Sequence, residues 1–333
     1  MPEFISISPW FVSMLLLMIG LLAGILIYNS LSGQRLIKEV WDFRRLKKYS
    51  LNYWDQFWVS NPKESDIVVC LTTIPSRLPY LSKTLKSLMA QTYKAKQIRL
   101  HLPTRSKREQ KSYEIPEELL QLQSLKIIRC EDYGPATKLL PALNDFKSDE
   151  KLLIVDDDYI YPEDLIENFY NLSGQYPDIA ITSSGWVVPN DLTDRHSTWH
   201  ESFNLLPPTP LKCTRVKEPQ EIDILRGCSG FLVRPEFFNL TEIFDYSNAP
   251  EAAFFVDDVW ISAHCTVPKF TFPAKQFCSK LWHQNSVFDQ SALGLINQNG
   301  EPNTWNNTIT IRHFSGRWLF QKKPSPLTKS KPA

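Results

Sequence analysis

Glycine is scarce in this 333-residue chain, 11 in all, and neither Gly-x-x-x-x-Gly-Lys-Ser/Thr nor Gly-x-Gly-x-x-Gly occurs. A P-loop kinase and a dinucleotide-binding dehydrogenase are thereby excluded, because both need glycines where backbone N–H groups approach phosphate. No Gly-x-Ser-x-Gly hydrolase elbow is present either. The six cysteines (Cys70, Cys130, Cys213, Cys228, Cys265, Cys278) contain no Cys-x-x-Cys pair and form no zinc-like grouping with histidine, which excludes a structural zinc site. They read as free thiols, with disulfides in an oxidising compartment as the alternative. Excess charge of one sign is missing too: 37 basic against 36 acidic side chains leave a formal net charge of +1, so no nucleic-acid partner is implied. No internal repeat interrupts the chain.

What is present begins with apolar content. At 43% hydrophobic and 12% aromatic residues the chain can bury a sizeable core, which excludes disorder for most of its length. A short segment, 1–9, precedes an uncharged run from Trp10 to Tyr28, and residues 10–29 read as one transmembrane helix with interfacial aromatic rings at its ends. A cleaved signal peptide is the alternative, but Glu3 and the lack of Lys or Arg before the run remove the positive n-region it needs. Arg35, Lys38, Arg44, Arg45, Lys47 and Lys48 follow the run, so the expected orientation of a single-pass protein puts the larger part in the cytoplasm. The sequons at Asn171, Asn239 and Asn306 point the other way, to a Golgi or ER lumenal domain. Residues 30–61 mix basic and aromatic side chains, as an interfacial amphipathic helix or a stalk packed on the following domain would. The Lys-, Pro- and Ser-rich residues 321–333 read as a disordered tail.

Beyond Pro62, short apolar runs alternate with helix-like segments, which predicts an α/β domain over 62–320 with a mixed, mainly parallel sheet flanked by helices. Strands are expected at Ile67–Leu71, Gln97–Leu102, Leu125–Arg129, Lys151–Val155, Ile179–Ser183, Cys228–Val233 and Phe270–Phe272. Helices are expected at Leu78–Met89, Pro116–Leu122, Thr137–Leu143, after Pro162, and near Val256–Cys265. Residues 185–221, rich in proline, histidine and tryptophan, read as a long functional loop.

The acidic triplet Asp156, Asp157 and Asp158 stands at the carboxyl end of an apolar run, where open α/β sheets bind ligands. Adjacent carboxylates repel one another, and a divalent cation with oxygen ligands neutralises them; a solvated acidic turn capping the next helix is the alternative. Asp132 and Lys138 flank a glycine turn after another strand. There an ammonium can pair with phosphate and a carboxylate with a base or ribose, unless Lys138 is a solvated surface lysine.

The run Val155-Asp156-Asp157-Asp158-Tyr159-Ile160-Tyr161-Pro162 resembles the D-x-D signature of GT-A fold (Rossmann-like) glycosyltransferases, as in family 2 enzymes and the β-1,3-galactosyltransferase and fringe type. The resemblance covers about Ile67 to His283. It implies that Asp158 is the main ligand of Mn2+ or Mg2+, with Asp156 also on the metal and nearer the nucleoside and Asp157 between them. Leu71-Thr72-Thr73-Ile74-Pro75-Ser76-Arg77 and Gln91-Thr92-Tyr93 are similar to the start of family 2 enzymes, which makes Thr72, Thr73 and Arg77 candidate nucleotide contacts; a plain strand-to-helix turn is the alternative. Phe254-Phe255-Val256-Asp257-Asp258-Val259-Trp260 is similar to the acidic pair of inverting enzymes. Asp258 is then the base that deprotonates the acceptor hydroxyl and Asp257 its support, the alternative being a helix cap. Gly227, Ser229 and Gly230, in Arg226-Gly227-Cys228-Ser229-Gly230-Phe231, would let the backbone approach a sugar, or form a tight turn. His283 is the first further metal candidate and His313 the second. Trp186, Trp199 and His200 are candidates for stacking on sugar rings.

The sequence-level expectation is a metal-dependent glycosyltransferase, a hexosyltransferase, moving a sugar from a nucleotide-diphosphate donor, a UDP-sugar in the favoured case, to a hydroxyl of a glycan or lipid-linked acceptor at a membrane lipid surface. A nucleotidyltransferase, and a non-catalytic membrane-anchored binding protein on the same scaffold, are the rivals.

Overall fold

A computed structural model, describing residues 8–280, 286–319 and 327, opens with helix α1 (Pro9–Ser32), long and apolar enough to cross a membrane and with no buried residue. Helices α2 (Leu36–Lys48) and α3 (Leu51–Ser60) follow, the second capped by Ser50, whose side chain accepts the Tyr53 N–H. Unlike α1 they pack on the body: Leu46, Leu51 and Trp54 join the main hydrophobic core. Asp55, buried on the inner face of α3, accepts the Gln123 N–H at 3.0 Å and both the N–H and the hydroxyl of Ser124 at 2.9 and 2.6 Å. Three donors offset the cost of burying that charge.

The body is a mixed α/β sandwich. β1 (Ile67–Thr72), α4 (Ser82–Met89), β2 (Gln97–Pro103), α5 (Glu117–Leu120), β3 (Leu125–Cys130), α6 (Leu140–Asp145), β4 (Lys151–Ile154), α7 (Leu165–Gln175) and β5 (Ala180–Thr182) alternate along the chain. β6 (Ser184–Trp186), α8 (Trp199–Asn204), β7 (Leu211–Lys212), β8 (Gln220–Glu221), β9 (Ile224–Leu225), β10 (Phe231–Val233), α9 (Leu240–Ile243), α10 (Asp257–His264), β11 (Lys269–Thr271), α11 (Ser286–Gln290), α12 (Leu293–Asn297) and α13 (Asn306–His313) complete it. The eight-stranded sheet runs β3-β2-β1-β4-β10-β5-β11-β8. β10 is antiparallel to both its neighbours and β8 to β11, the remaining pairs being parallel. A three-stranded antiparallel sheet, β7-β6-β9, stands beside it.

The central strands are apolar without alternation because both faces are covered. In β1, Ile67, Val69 and Leu71 enter the core shared with α3 and α4, while Val68 and Cys70 enter the one shared with α6 and α10. β2 and β4 lie on opposite sides of β1, so the loops leaving the carboxyl ends of β1 and β4 diverge and open a crevice. That crevice receives the acidic triplet.

Three local departures from the sequence-based expectation have physical reasons. The helix expected at Thr137–Leu143 is a 3-10 turn, Gly134–Lys138, followed by α6, because Pro141 fits only a first helical turn. The loop at 185–221 contains α8, with a Thr198–Glu201 capping box, and strands of two or three residues, too short to imprint a period on sequence. The strand expected from Cys228 begins at Phe231, after a turn through Gly230 at φ +85°. All six cysteines are free, and burial pushes the thiol of Cys70 up to about 12.

Candidate active site

A cavity of about 350 Å3 fills the crevice. The loop after β1 contributes Thr72, Thr73 and Arg77; the loop after β3, Asp132 and Lys138; the loop after β4, the triplet; α10 brings Asp257 and Asp258 on its first turn. The two acidic clusters expected to work together do line one cavity.

Each aspartate of the triplet has its own cation. Lys138 Nζ stands 2.6 Å from Asp156 Oδ1, Arg77 Nη1 2.9 Å from Asp157 Oδ1, and Lys280 Nζ 3.1 Å from Asp158 Oδ2. Asp157 also accepts the Thr73 hydroxyl at 2.5 Å. Burial and the neighbouring carboxylates raise Asp158 to about 6, against the pull of Lys280.

Lys138 joins the two acidic clusters. Its buried ammonium contacts Asp257 Oδ2 at 2.6 Å and lies 3.8 Å from Asp258 Oδ1, in addition to Asp156. Burial opposes its charge, but the three carboxylates outweigh that and lift it well above the usual lysine value. The ammonium is buried and engaged within the protein, not solvated at the surface, and Lys138 lines the cavity. Gly227 makes the arrangement possible: a Cβ there would lie 2.2 Å from Lys138 Nζ and 2.9 Å from Asp156 Oδ1. Its N–H donates to Asp258 Oδ1 at 2.9 Å. Desolvation and Asp257 raise Asp258 to about 7 despite Lys138, which suits a carboxylate that takes up a proton near neutrality.

The other expected nucleotide contacts divide. Thr72 lines the cavity, its hydroxyl donating to His101 O at 2.8 Å. Thr73 and Arg77 are turned to Asp157, and the Arg77 guanidinium also donates to Ser291 Oγ, Ser291 O and Phe288 O. Asp132 accepts the N–H groups of Lys107 and Gly134 at 2.6 and 2.7 Å, so it shapes its own loop. Ser229 donates to Arg226 O, and Gly230 packs against Leu153 and Leu165, both behind the cavity wall. Trp186 reaches the cavity; Trp199 and His200 are exposed on α8, and His313 is exposed on α13, away from it. His283 lies outside the described residues.

Sequence reasoning missed Arg108, Arg226 and Lys280, cations that line the same cavity. Arg226 stands beside the glycines already singled out, and that neighbourhood was the available signal. Arg226 donates to Ser184 Oγ at 3.5 Å and makes no ion pair among the described residues.

No protein-family model matches the chain, and no curated protein matches its sequence. It is similar to solved structures at low identity. They include the mannosyltransferase PcManGT from Pyrobaculum calidifontis in complex with GDP-Man and Mn2+ (14% identity, TM-score 0.40, 76% of this chain and 66% of that one). S. aureus TarS in complex with UDP-GlcNAc matches with 13% identity and a TM-score of 0.42 over 75% of this chain and 72% of that one. GalNAc-T7 with UDP, GalNAc and Mn2+ matches with 13% identity and a TM-score of 0.39, over 63% of this chain and 42% of that one. The chain thus spans less than two thirds of the length of some of these structures.

Among the described residues no group of three His, Cys, Asp or Glu side chains is placed to hold a metal ion. Asp156 and Asp158 both line the cavity, and each engages a lysine through one oxygen, leaving Asp156 Oδ2 and Asp158 Oδ1 without a protein partner among the described residues. Two hard carboxylate oxygens fit Mg2+ or Mn2+ of the kind completed by water and substrate phosphate.

Proposed function

We propose that the chain is a membrane-anchored glycosyltransferase of the GT-A type that moves a hexosyl group from a nucleotide-diphosphate donor to a hydroxyl acceptor, with inversion. The observation that carries this reading is the single ammonium of Lys138, which holds the triplet and the Asp257–Asp258 pair together around one cavity at the switch point of the sheet. A core needs neither acidic cluster, so a scaffold kept only for binding leaves Asp258, raised to about 7, without a task.

In this reading Asp156 and Asp158 would hold Mn2+ or Mg2+, which would supply charge neutralisation at the donor diphosphate. Arg226 and Lys280 meet the same diphosphate from the cavity wall, a planar fork and a point charge suited to phosphate oxygens. Thr72 lies on the nucleoside side. Thr73 and Arg77 act as positioning residues: by fixing Asp157 they set the turn that points Asp156 and Asp158 into the cavity. Asp258 accepts the proton of the acceptor hydroxyl as the glycosidic bond to the departing diphosphate breaks, while Asp257 and Lys138 hold it in place. In the same reading the body faces the cytoplasm, and the acceptor is a lipid-linked or surface glycan precursor at the membrane that α1 enters.

The test is binding and transfer measured separately on the full chain, with UDP and UDP-sugars in the presence and absence of Mn2+. Asp158→Ala is expected to abolish metal-dependent nucleotide binding. Asp258→Asn is expected to bind nucleotide as the parent does and to lose transfer by about 100-fold or more, the range of a missing general base. Absence of metal-dependent nucleotide binding in the parent sinks the reading, and undiminished transfer by Asp258→Asn sinks the assignment of the base.

A further inference from the structure

The carboxyl end of α1 is fastened to the body. Lys212 Nζ donates to Ser32 O and Thr214 Oγ1 to Gly33 O, each at 2.6 Å, and Gln34 Nε2 donates to Cys278 O at 3.2 Å. Gly33 turns the chain at φ +70°, and a Cβ there would lie 2.7 Å from Thr214 Oγ1. Whatever stands beside the last turns of α1 is therefore held at a fixed depth relative to it.

Beside those turns runs a groove of about 470 Å3, between α1 and α8. Leu26 and Leu31 form one wall, Phe203 and Leu205 the other, and Arg35 and Arg215 stand at its rim. Among the described residues no acidic side chain lines it. Arg215 donates to Ser202 O at 2.8 Å, and neither guanidinium makes an ion pair among the described residues. Leu26 belongs to the uncharged run of α1, so Phe203 across the groove lies at the edge of the hydrocarbon layer when α1 crosses a membrane. On α8, Trp199 is 89% and Phe203 70% exposed, one helical turn apart, an expenditure of aromatic surface that water penalises and a bilayer edge does not.

We propose that this groove binds a phosphate-headed membrane lipid, its chain against Leu26, Leu31 and Phe203 and its phosphate between Arg35 and Arg215. The charge complementarity is specific: two planar forks without an ion pair among the described residues line the same groove as the apolar side chains of α1. The segment that ties α1 down also leads to the catalytic cavity, since Cys278 Sγ donates to Cys228 O and Lys280 follows two residues later. The inference stands apart from sugar transfer, because lipid binding is read without nucleotide.

The experiment is native mass spectrometry of the full chain in detergent, titrated with phosphatidic acid or with phosphatidylcholine of the same acyl chains. The parent is expected to bind one phosphatidic acid about tenfold more tightly than phosphatidylcholine, the order that charge-assisted hydrogen bonds supply. Arg35→Gln/Arg215→Gln is expected to bring that preference below about twofold, whereas Arg44→Gln/Lys48→Gln, exposed basic residues on α2, leaves it intact. Phe203→Ser is expected to weaken both lipids, with melting temperatures confirming that each variant is folded. Equal affinity for the two lipids in the parent, an unchanged preference in the groove variant, or an equal loss in the α2 variant overturns the proposal. So does competition by sn-glycerol 3-phosphate as effective as that of phosphatidic acid, which would make the site one for free phosphate.

Discussion

Asp258 carries two demands that pull in opposite directions. In the proposed role of base it must be ionised near neutral pH, yet the cavity raises it to about 7, so its charged form is the one that folding disfavours. A carboxyl whose folded value lies above its ordinary 3.8 keeps a proton in the folded state that the unfolded chain has released. Stability from this group therefore falls as pH rises from about 4 to about 7 and is level beyond. Asp258→Asn keeps an acceptor for the Gly227 N–H and removes the titration. The melting temperature of the variant is expected to draw ahead of the parent between pH 4 and pH 7 and to keep that lead above it. A gap that does not change with pH means that Asp258 is not the strained group. The transfer rate of the parent is expected to rise through the same interval, because only the ionised form accepts a proton.

At the level of elements, α2 and α3 show where sequence and structure part company. Strands β1, β2, β3 and β4 were legible as apolar runs because both faces of the sheet are covered, and the acidic residues at the carboxyl end of β4 were legible from position alone. The packing of α3 was not. Its aromatic residues, Tyr53, Trp54, Phe57 and Trp58, suit a bilayer surface and a protein surface equally, and what decides is Asp55, whose partners lie about 70 residues away in sequence. The separate fates of Asp156, Asp157 and Asp158 were equally hidden: three identical neighbours are sorted by Lys138, Arg77 and Lys280, which come from three different segments. The weight of the Asp55 contacts can be measured. Asp55→Ala leaves the N–H groups of Gln123 and Ser124 without their carboxylate, and a loss of about 2–4 kcal/mol in unfolding free energy is expected, the scale of hydrogen bonds to a buried charge. Denaturant titration reads it, and a loss below about 0.5 kcal/mol, the usual effect of a surface substitution, means that α3 is only laid against the body.

For the molecule as a whole, the proposed orientation rests on one helix and its junction with the body. α1 has no Lys or Arg before it, while Arg35, Lys38, Arg44, Arg45, Lys47 and Lys48 follow within its carboxyl-terminal flank. Lys38 is paired with Asp42 and Glu163 in the folded protein, but the bias acts through the count of basic residues near the span and not through net charge, so these ion pairs do not cancel it. The ties from Lys212, Thr214 and Gln34 hold the body against that same end of α1, so the side of the membrane reached by Arg35 is the side that holds the cavity. The sequons at Asn171 and Asn239 lie on exposed positions, where a lumenal body would offer them to glycosylation. When the chain is made in the presence of microsomes, it is therefore expected to insert, resist alkaline extraction and show no mass shift on endoglycosidase treatment, while protease added outside the vesicles digests the body. A glycosylated, protease-protected body reverses the orientation and with it the leaflet that the groove beside α1 faces.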